Sequence, residues 1–225
     1  MSEILYHGSE YMIDKPVYGL GKLHNDYGMG FYMTKDIDMS REWAVDYERN
    51  GYSNQYLLDT DGLRLLDLEQ PPYTALHWLE ILISNRSFEI RSPIAMEASR
   101  YLHENYHVDL GQFDMICGYR ADDSYFTFAN DFLNNTISYG QLRQAMRPGR
   151  LGIQLVLKSP KAFEQLTFIK GEPVFASEWY ARRMDRDRQA RKDYYAMNKY
   201  AYRKGDLYMT RILDEEVKPD DARLR

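Results

Sequence analysis

Residues 28–34 of the chain read Gly28-Met29-Gly30-Phe31-Tyr32-Met33-Thr34. Two glycines ahead of a run of aromatic and apolar residues are typical of a loop that folds over a ligand and then enters a strand. Glycine tolerates unusual backbone angles in such a loop, and aromatic residues favour strands. The pattern therefore predicts a loop that ends in a short strand over residues 30–34.

A helix is predicted directly after this strand, from about Asp38. On that helix Ser40 and Trp43 have helical spacing, so both side chains lie on one face. Tyr32 from the strand and Trp43 from the helix can hold a flat ring between them, with the Ser40 hydroxyl offered to an amide on that ring. The alternative is that Trp43 is a core residue on the inner face of its helix, and periodicity by itself favours this alternative.

Upstream of the loop, residues 4–9 read Ile4-Leu5-Tyr6-His7-Gly8-Ser9. The alternation predicts a strand over residues 4–7 that ends at Gly8, followed by a long surface loop over residues 10–28. A histidine at the end of a strand can point its ring into a cleft, and a following glycine lets a ligand approach the backbone. Taken alone, residues 6–9 are more typical of a strand end and a turn.

A third segment of interest is the predicted strand Gly152-Ile153-Gln154-Leu155-Val156-Leu157. Ile153, Leu155 and Leu157 form one apolar face, and Gln154 points to the opposite side. A polar side chain in this place either is solvated on an edge strand or lines a cleft. The local sequence leaves both alternatives open.

The remaining patterns mix strands and helices without regular alternation, which predicts the α+β class rather than a doubly wound sheet. A hairpin is predicted from residues 56–58 and 63–68, joined by Asp59-Thr60-Asp61-Gly62. Further strands are predicted over residues 113–119 and 153–157, and helices over residues 73–84, 93–105 and about 138–147. From Ser177, a predicted N-cap, a helical stripe runs until Gly205 through Tyr180, Met184, Ala190, Tyr194, Met197 and Ala201.

The composition narrows the class of protein. The 225 residues carry a formal net charge of −5 and no apolar run of membrane-spanning length. Cys117 is the single cysteine, which excludes an internal disulfide and a cysteine-based zinc cage. The chain begins without the basic segment of a signal peptide, so a cytoplasmic protein is expected.

The order of the three segments resembles the ADP-ribosyltransferase superfamily, in the branch shared by diphtheria-type toxins and poly-ADP-ribose polymerases. The shared features are Tyr-His-Gly-Ser at residues 6–9, Gly-x-Gly-Phe-Tyr at residues 28–32, a serine and an aromatic residue on the next helix, and a polar residue on a late strand. Within this branch the chain is most similar to a bacterial family of undefined function, whose pattern also includes Gly118-Tyr119-Arg120-Ala121-Asp122-Asp123. The resemblance covers roughly residues 4–170.

The resemblance implies a split β-sheet, in which two facing antiparallel sheets enclose a cleft for NAD+, the co-substrate. Residues 1–170 are then the NAD-binding domain, and residues 171–225 form a helical C-terminal extension packed on it. His7 is expected to bind the adenosine ribose, Gly8 to meet the nicotinamide amide through its backbone, and Ser40 to hold the carboxamide. The full cofactor-binding set implied is His7, Gly8, Ser9, Gly30, Tyr32, Ser40 and Trp43, and the catalytic set is Gln154, Tyr32 and His7.

Gln154 departs from the superfamily pattern, because better-known members have a catalytic glutamate there. Breaking the bond between nicotinamide and ribose develops positive charge, which a carboxylate stabilises and a neutral amide does not. Slow or target-assisted single transfer is therefore expected, unless Asp122, Asp123 or the target supplies a carboxylate. By the same argument, Gln154→Glu is expected to raise NAD+ cleavage.

The expected function is mono-ADP-ribosyl transfer from NAD+ to an unknown protein or nucleic-acid acceptor, with release of nicotinamide. If the protein is a toxin, a neutralising partner is expected as well. The alternative is a pseudoenzyme that binds NAD+ or a related nucleotide without turnover, which the glutamine at position 154 favours.

Two other patterns compete with this interpretation. His103-Glu104-Asn105-Tyr106-His107 matches the His-Glu-x-x-His pattern of zinc proteases, but the helix is predicted to end there and no third histidine follows at short spacing. No metal site is therefore predicted. Residues 178–204 carry nine Lys or Arg against four Asp or Glu, which suits nucleic-acid binding, although a solvated helix packed on the domain is favoured.

Overall fold

The chain mixes strands and helices in an irregular order, which confirms the predicted α+β class. The computed structural model describes residues 1–87, 90–121, 123–146, 152–196 and 202–225. The strands are β1 (Ser2–Ser9), β2 (Phe31–Met33), β3 (Gly51–Asp59), β4 (Leu65–Asp67), β5 (Met115–Tyr119), β6 (Ile153–Leu157) and β7 (Leu166–Val174). The α-helices are α1 (Ile37–Ala44), α2 (Ala75–Asn85), α3 (Pro93–Tyr106), α4 (Asp123–Leu133), α5 (Tyr139–Met146), α6 (Pro160–Glu164), α7 (Ala176–Ala196) and α8 (Met209–Asp214).

The strands form two sheets. In the first, β3 lies between β1 and β7, and both pairs are antiparallel. The second has the order β2-β6-β5-β4, in which β4 and β5 run parallel and the other pairs antiparallel. The predicted pair of antiparallel sheets is therefore confirmed in its coarser form, as two mostly antiparallel sheets. The strands predicted over residues 30–34, 113–119 and 153–157 are confirmed as β2, β5 and β6.

The hairpin predicted across residues 59–62 is wrong. A turn is present, since Gly62 has a φ of +69°, but the strands on either side of it belong to different sheets. A strand has two hydrogen-bonding edges, and β1 and β7 occupy both edges of β3. β4 instead pairs with β5, in a register that places Leu65 opposite Met115.

The predicted end of the first strand at Gly8 is also wrong, because β1 continues to Ser9 and Gly8 stays in the ladder opposite Ser53. A Cβ atom added at Gly8 would lie 1.9 Å from the carbonyl oxygen of Ser40 and 2.7 Å from the amide nitrogen of Ala44. Glycine is required at this position because the backbone of α1 packs directly against the strand.

We expect Gly8→Ala to lower the free energy of unfolding by about 1–3 kcal/mol, because the added methyl group has no room beside α1. Gly140→Ala is the matched control, since Gly140 lies in α5 and an added Cβ would be 3.4 Å from its nearest neighbour. That change should raise stability by up to about 1 kcal/mol, because alanine is the better helix former. Urea unfolding followed by circular dichroism measures both. Equal stability of Gly8→Ala and wild type would contradict the packing argument.

The two sheets meet where β1 runs beside β2. The Tyr6 N–H donates to the Thr34 carbonyl at 2.8 Å, and the Thr34 N–H donates to the Tyr6 carbonyl at 2.9 Å. A hydrophobic cluster next to this bridge contains side chains of both sheets: Leu5, Met33, Tyr56, Leu58, Met115, Leu155 and Leu157. The predicted loop over residues 10–28 therefore leaves the first sheet and returns into the second.

The helices predicted over residues 73–84, 93–105 and about 138–147 are confirmed as α2, α3 and α5. Thr74 and Ser92 cap α2 and α3, because their side-chain oxygens accept hydrogen bonds from backbone N–H groups of the first turn. Asp36 caps α1 in the same way. These caps explain why the three helices begin where they do.

The boundary predicted between residues 170 and 171 falls inside β7, so the first sheet already includes part of the extension. The helix predicted from Ser177 is confirmed as α7, which begins at Ala176. Of the stripe predicted as far as Gly205, Met197 and Ala201 lie outside the described residues, and residues 202–205 are not helical. The main core includes side chains of the extension: Tyr194, Leu207, Met209, Ile212, Val217 and Leu224. No helix in the described ranges is long and apolar enough to cross a membrane.

Candidate functional site

A cavity of about 450 Å³ is the candidate site, and its volume is typical of small-molecule sites. Three of the predicted site residues line it: Tyr32 of β2, Trp43 of α1 and Gln154 of β6. The other lining residues are Lys22, Asn25, Asp26, Arg86, Arg120, Ala121, Arg183 and Asp187. The structure thus brings together three residues that come from three separate segments of the sequence.

Gln154 is buried on a central strand, with 3% of its surface exposed, which excludes the alternative of a solvated edge position. Its Nε2 atom donates a hydrogen bond to Oδ2 of Asp26 at 2.8 Å. The backbone N–H of Ala121 donates to the same oxygen at 2.9 Å. The residue expected to lack the catalytic charge is therefore in direct contact with a carboxylate.

Asp26 is itself buried, and its second oxygen, Oδ1, has no hydrogen-bond partner among the described residues. The nearest charge is the Arg86 guanidinium, whose Nη1 lies 3.4 Å from Oδ1. Burial raises the pKa of Asp26, while the hydrogen bonds from Ala121 and Gln154 and the charges of Arg86 and Arg120 work in the opposite direction. The result is a carboxyl group that accepts hydrogen bonds at one oxygen and has only the Arg86 ion pair at the other.

Tyr32 is held in place by the loop that precedes its strand. Its hydroxyl donates to the Gly28 carbonyl at 2.7 Å and accepts from the Tyr27 N–H at 3.0 Å. Gly28 has a φ of +70°, a left-handed conformation that favours glycine and turns the loop back toward Tyr32. Burial raises the pKa of Tyr32 well above its usual range, so the hydroxyl stays protonated and the ring serves as a wall of the cavity.

Trp43 lies beside the cavity on α1, with its ring 5.5 Å from the Arg120 guanidinium carbon. Its indole Nε1 is buried and has no acceptor among the described residues. An indole N–H usually finds a partner when it is buried. The side chain therefore offers a ligand both an aromatic face and an unused hydrogen-bond donor.

Positive charge is concentrated around this cavity although the chain as a whole is acidic. Arg86, Arg120, Arg183 and Lys22 line it, against the acidic side chains of Asp26 and Asp187. Guanidinium groups match phosphate and carboxylate geometry, because they present several donors in one plane. The charge and the aromatic walls together suit an anionic ligand with a flat ring.

The helical extension contributes directly to the site. Arg183 of α7 lines the cavity and donates from Nη1 to the Val45 carbonyl at 2.7 Å. One turn further along α7, Nε of Arg186 lies 2.9 Å from Oε2 of the buried Glu42 side chain. Burial raises the pKa of Glu42, and Arg186 lowers it. Helix α7 of the extension thus packs against α1 and the residue that follows it, and it also forms part of the wall of the cavity.

His7 lies at the junction of the two sheets rather than in the cavity lining. Its Nδ1 is 2.7 Å from the Tyr32 carbonyl, and its ring centroid is 4.3 Å from that of Phe31. A carbonyl only accepts, so Nδ1 carries a proton. Burial lowers the pKa of His7, which favours the neutral form and makes Nε2 an acceptor. The histidine therefore fixes the strand that carries Tyr32.

The structure does not bring Gly8, Ser9, Gly30 or Ser40 into the cavity lining. Ser40 is fully buried, and its hydroxyl is engaged with the Ile37 carbonyl at 2.8 Å and the Ser53 hydroxyl at 2.5 Å. This contradicts the expectation that the Ser40 hydroxyl holds a carboxamide. Each of the glycines is in close contact with protein: α1 lies against Gly8, and a Cβ at Gly30 would be 2.5 Å from Val156.

Sequence reasoning missed Asp26, Arg86 and Arg183 as lining residues. Asp26 stands just ahead of the glycine-rich segment, which is the one signal that could have indicated it. Arg86 directly follows α2 and Arg183 lies in the mixed-charge helix α7, and nothing in the sequence separates a cavity arginine from a solvated one at either position. Of the predicted carboxylate sources, Asp122 lies outside the described residues, and only the backbone of Asp123 is described, at the start of α4.

A second cavity, of about 650 Å³, is larger but carries less chemistry. It lies between the Pro71-Pro72 segment and the C-terminal residues, and none of the predicted site residues lines it. Its wall is more apolar, with Arg143 and Arg225 as its cationic side chains. Convergent polar groups identify a functional site better than volume does, so we assign the site to the smaller cavity.

Comparison with known proteins gives a family without an assigned activity. The family described as "Protein of unknown function (DUF3990)" matches residues 3–168. No curated protein and no solved structure matches the chain. Because the matched segment makes up well over half of the 225 residues, the chain belongs to the DUF3990 family of proteins of unknown function.

Proposed function

We propose that the protein is a mono-ADP-ribosyltransferase, which uses NAD+ to modify a nucleophile of a protein or nucleic acid and releases nicotinamide. The observation that carries this proposal is the convergence of Tyr32, Trp43 and Gln154 on one cavity together with three arginines. The three residues were assigned to an NAD+ site from separate segments of the sequence, so their meeting is not a consequence of chain proximity.

The architecture supports the same proposal. Two mostly antiparallel sheets are joined at the bridge between Tyr6 and Thr34, and His7 and Tyr32 follow on either side of it. A sheet that divides at such a bridge is what the split β-sheet of an ADP-ribosyltransferase requires. The family match ends at residue 168, close to the expected end of the NAD-binding domain at residue 170.

The donors around the cavity fit the phosphates of NAD+. Arg86 directly follows α2, Arg120 directly follows β5 and Arg183 lies on α7, and all three line the cavity. Arginine binds phosphate oxygens through parallel hydrogen bonds, and a cluster of three also offsets the charge of a pyrophosphate. We assign these side chains to the phosphate groups.

The aromatic residues and the unpaired buried atoms fit the remaining parts of NAD+. Tyr32 and Trp43 supply aromatic surface for a flat ring. Among the described residues the Trp43 indole N–H has no acceptor and Oδ1 of Asp26 accepts no hydrogen bond, so a ligand with amide and hydroxyl groups would satisfy both. When bound, NAD+ supplies an ADP-ribosyl group attached to a good leaving group.

Trp43→Ala tests the binding model. We expect it to weaken NAD+ binding by about 3- to 10-fold, because an aromatic contact is commonly worth ~0.5–1.5 kcal/mol beyond area burial. Tyr47→Ala is the control, since Tyr47 is an exposed aromatic residue nearby that does not line the cavity. Titration calorimetry with NAD+ gives the affinities. Unchanged affinity in a folded Trp43→Ala protein would refute the assignment of this cavity.

The second candidate function is an NAD-binding pseudoenzyme, which the glutamine at position 154 favours. Radiolabelled NAD+ incubated with the protein and cell lysate separates the two. A transferase moves label to an acceptor and releases nicotinamide in equal amount. A pseudoenzyme binds NAD+ in the titration but leaves both label and nicotinamide unchanged.

A further inference from the structure

We propose that Asp26 is the catalytic carboxylate of the ADP-ribosyl transfer and that Gln154 is its positioning residue. The inference rests on the proposed function, because it names the group that stabilises the charge developed in that reaction. It also explains how the site can work with glutamine in place of the usual glutamate at position 154, since the Asp26 carboxylate contacts Gln154 in the same cavity.

The two oxygens of Asp26 have different surroundings. Oδ2 accepts two hydrogen bonds, from Gln154 Nε2 at 2.8 Å and from the Ala121 N–H at 2.9 Å. Oδ1 is buried without any hydrogen bond among the described residues. Arg86 Nη1 lies in ion-pair range of Oδ1 at 3.4 Å but makes no hydrogen bond to it. A buried acceptor without a hydrogen bond costs about 1–3 kcal/mol, so such atoms are rare and call for an explanation. A hydroxyl of the bound ribose would donate to Oδ1.

The charges near Asp26 favour its ionised form. Arg86 lies 3.4 Å from Oδ1, and Arg120 also lines the cavity. Gln154 donates to the carboxylate through its amide N–H, a role that fixes the carboxylate and that glutamate in the same place would not perform. Glutamine at position 154 is therefore consistent with an active site in which Asp26 supplies the carboxylate.

The reaction balances without an oxidant or a further reactant. The bond from C1 of the ribose to the nicotinamide nitrogen breaks, and its electron pair leaves with nicotinamide. The acceptor supplies the electron pair of the new bond to C1 and loses a proton, which Asp26 or water takes up. Asp26 stabilises the positive charge on the ribose while the first bond is broken and the second not yet formed.

Asp26→Asn tests this role, because it removes the charge and preserves the size of the side chain. We expect NAD+ affinity to change by less than about 3-fold and nicotinamide release to fall ~10²–10³-fold, the usual cost of losing one electrostatic group of this kind. Wild-type activity should rise with pH as Asp26 ionises. The rise should occur at a higher pH than for an ordinary aspartate, because burial raises the pKa of Asp26. Asp26→Asn should lack this rise.

Asp185→Asn is the control, since it makes the same charge change at an exposed position of α7. Its activity should equal that of wild type. If Asp26→Asn releases nicotinamide as fast as wild type, Asp26 is not the catalytic carboxylate, although the proposed function stands. If wild type itself neither binds NAD+ nor releases nicotinamide, the proposed function fails instead.

A different cluster carries a second, independent inference, outside the cavity. Glu80 of α2 is buried, and its Oε1 lies 3.0 Å from Nδ1 of His103 and 3.2 Å from Nδ1 of His107, at the end of α3. The Ser84 hydroxyl donates to the same oxygen at 2.8 Å. Three polar groups thus converge on one oxygen that has two lone pairs.

We infer that Glu80, His103 and His107 bind a divalent metal ion of the zinc class. Two imidazole nitrogens and a carboxylate oxygen are the ligands that zinc prefers, and zinc at about 2.0–2.2 Å from each would separate them by roughly 3.3 Å. No Lys or Arg pairs with the buried Glu80 carboxylate in the described part of the chain, so a cation supplies the missing charge. The half-exposed histidines leave the fourth position to water.

Titration of metal-free protein with zinc chloride tests the cluster. We expect one equivalent to bind and to raise the melting temperature, since an ion that binds only the folded state stabilises it. His103→Ala and His107→Ala should each weaken binding at least ~10-fold. His24→Ala, in an exposed loop, should not. Equal affinity of wild type and His103→Ala, or no zinc binding by wild type, would overturn the inference.

Discussion

Gln154→Ala is expected to lower nicotinamide release by ~10²-fold at neutral pH, the usual scale for one lost group of an electrostatic site. The loss has a specific cause, because Gln154 Nε2 is one of two donors that hold Oδ2 of Asp26. Its hydrogen bond also lowers the pKa of Asp26, so its removal should raise that pKa and move the rising part of the pH–activity curve to higher pH. A residue that only supports the fold would lower activity without moving the curve.

The matched control is Gln141→Ala. Gln141 is also a buried glutamine, but it lies on α5 and does not line the cavity. Its loss should lower stability and leave the activity of the folded protein and its pH dependence unchanged. Initial rates of nicotinamide release from pH 5 to pH 9, at saturating NAD+, give the comparison. An unshifted curve for Gln154→Ala would remove its assignment as positioning residue.

The sequence and the structure predict opposite effects of Gln154→Glu. The missing charge at Gln154 predicts that a glutamate there raises NAD+ cleavage. In the structure, the new carboxylate would face Asp26 across the present 2.8 Å hydrogen bond. Two carboxylates this close share one proton and raise each other's pKa. We therefore expect Gln154→Glu to be slower than wild type at neutral pH. Faster turnover would show that Asp26 is not the required charge.

Arg186→Met is expected to lower the free energy of unfolding by about 3 kcal/mol, because it leaves the carboxylate of Glu42 buried without its partner. The Arg186 side chain is 20% exposed and that of Glu42 is 6% exposed, so water replaces the ion pair only in part. Arg188→Met is the control, because its pair with Asp185 is exposed on the same helix and should be worth less than about 1 kcal/mol. Urea unfolding at neutral pH measures both.

The pH dependence of the same variant distinguishes a lost ion pair from lost packing. Burial raises the pKa of Glu42 and Arg186 lowers it, so the variant should raise the folded-state pKa further. A carboxyl whose pKa is higher in the folded than in the unfolded state stabilises the fold as pH falls and destabilises it as pH rises. The deficit of Arg186→Met should therefore be smaller at pH 5 than at pH 7.5. A deficit that is independent of pH would indicate packing alone.

The Arg186 variant also tests whether the extension belongs to the site. Arg183 lies on the same helix, one turn before Arg186, and lines the cavity. If the pair with Glu42 holds α7 in place, Arg186→Met should weaken NAD+ binding although Arg186 itself does not line the cavity. A simple solvated appendage would lower stability and leave the affinity unchanged.

Patterns within a few residues predicted many of the helices and strands. They failed where the structure depends on pairing between distant segments. The periodicity of α2 and α3 is a property of neighbouring residues, so the sequence predicts those helices nearly to their ends. The hairpin at residues 59–62 failed because strand pairing depends on which edges are free. Gly8 was assigned to a turn because the sequence does not contain the α1 backbone that lies 1.9 Å from its absent Cβ.

The residues of the candidate site divide in the same way. Tyr32, Trp43 and Gln154 were predicted because each belongs to a segment with its own local pattern, and all three line the cavity. Ser40 was assigned from helical spacing beside Trp43, but the face it occupies is covered by β3, where its hydroxyl is hydrogen-bonded to that of Ser53. Spacing along a helix predicts which face a side chain lies on. It does not predict which part of the fold packs against that face.

By itself the sequence determined the α+β class, most of the helices and strands up to residue 157 and three aromatic or polar residues of the cavity, because these follow from patterns within a few positions. It did not indicate α4 or β7. The tertiary structure alone decided that Asp26 contacts Gln154, 128 positions away, and that α7 contributes Arg183 to the same cavity. Such contacts depend on how two sheets and a C-terminal helix come together. The carboxylate beside Gln154 of β6 therefore comes from Asp26, in a loop that is distant in the sequence.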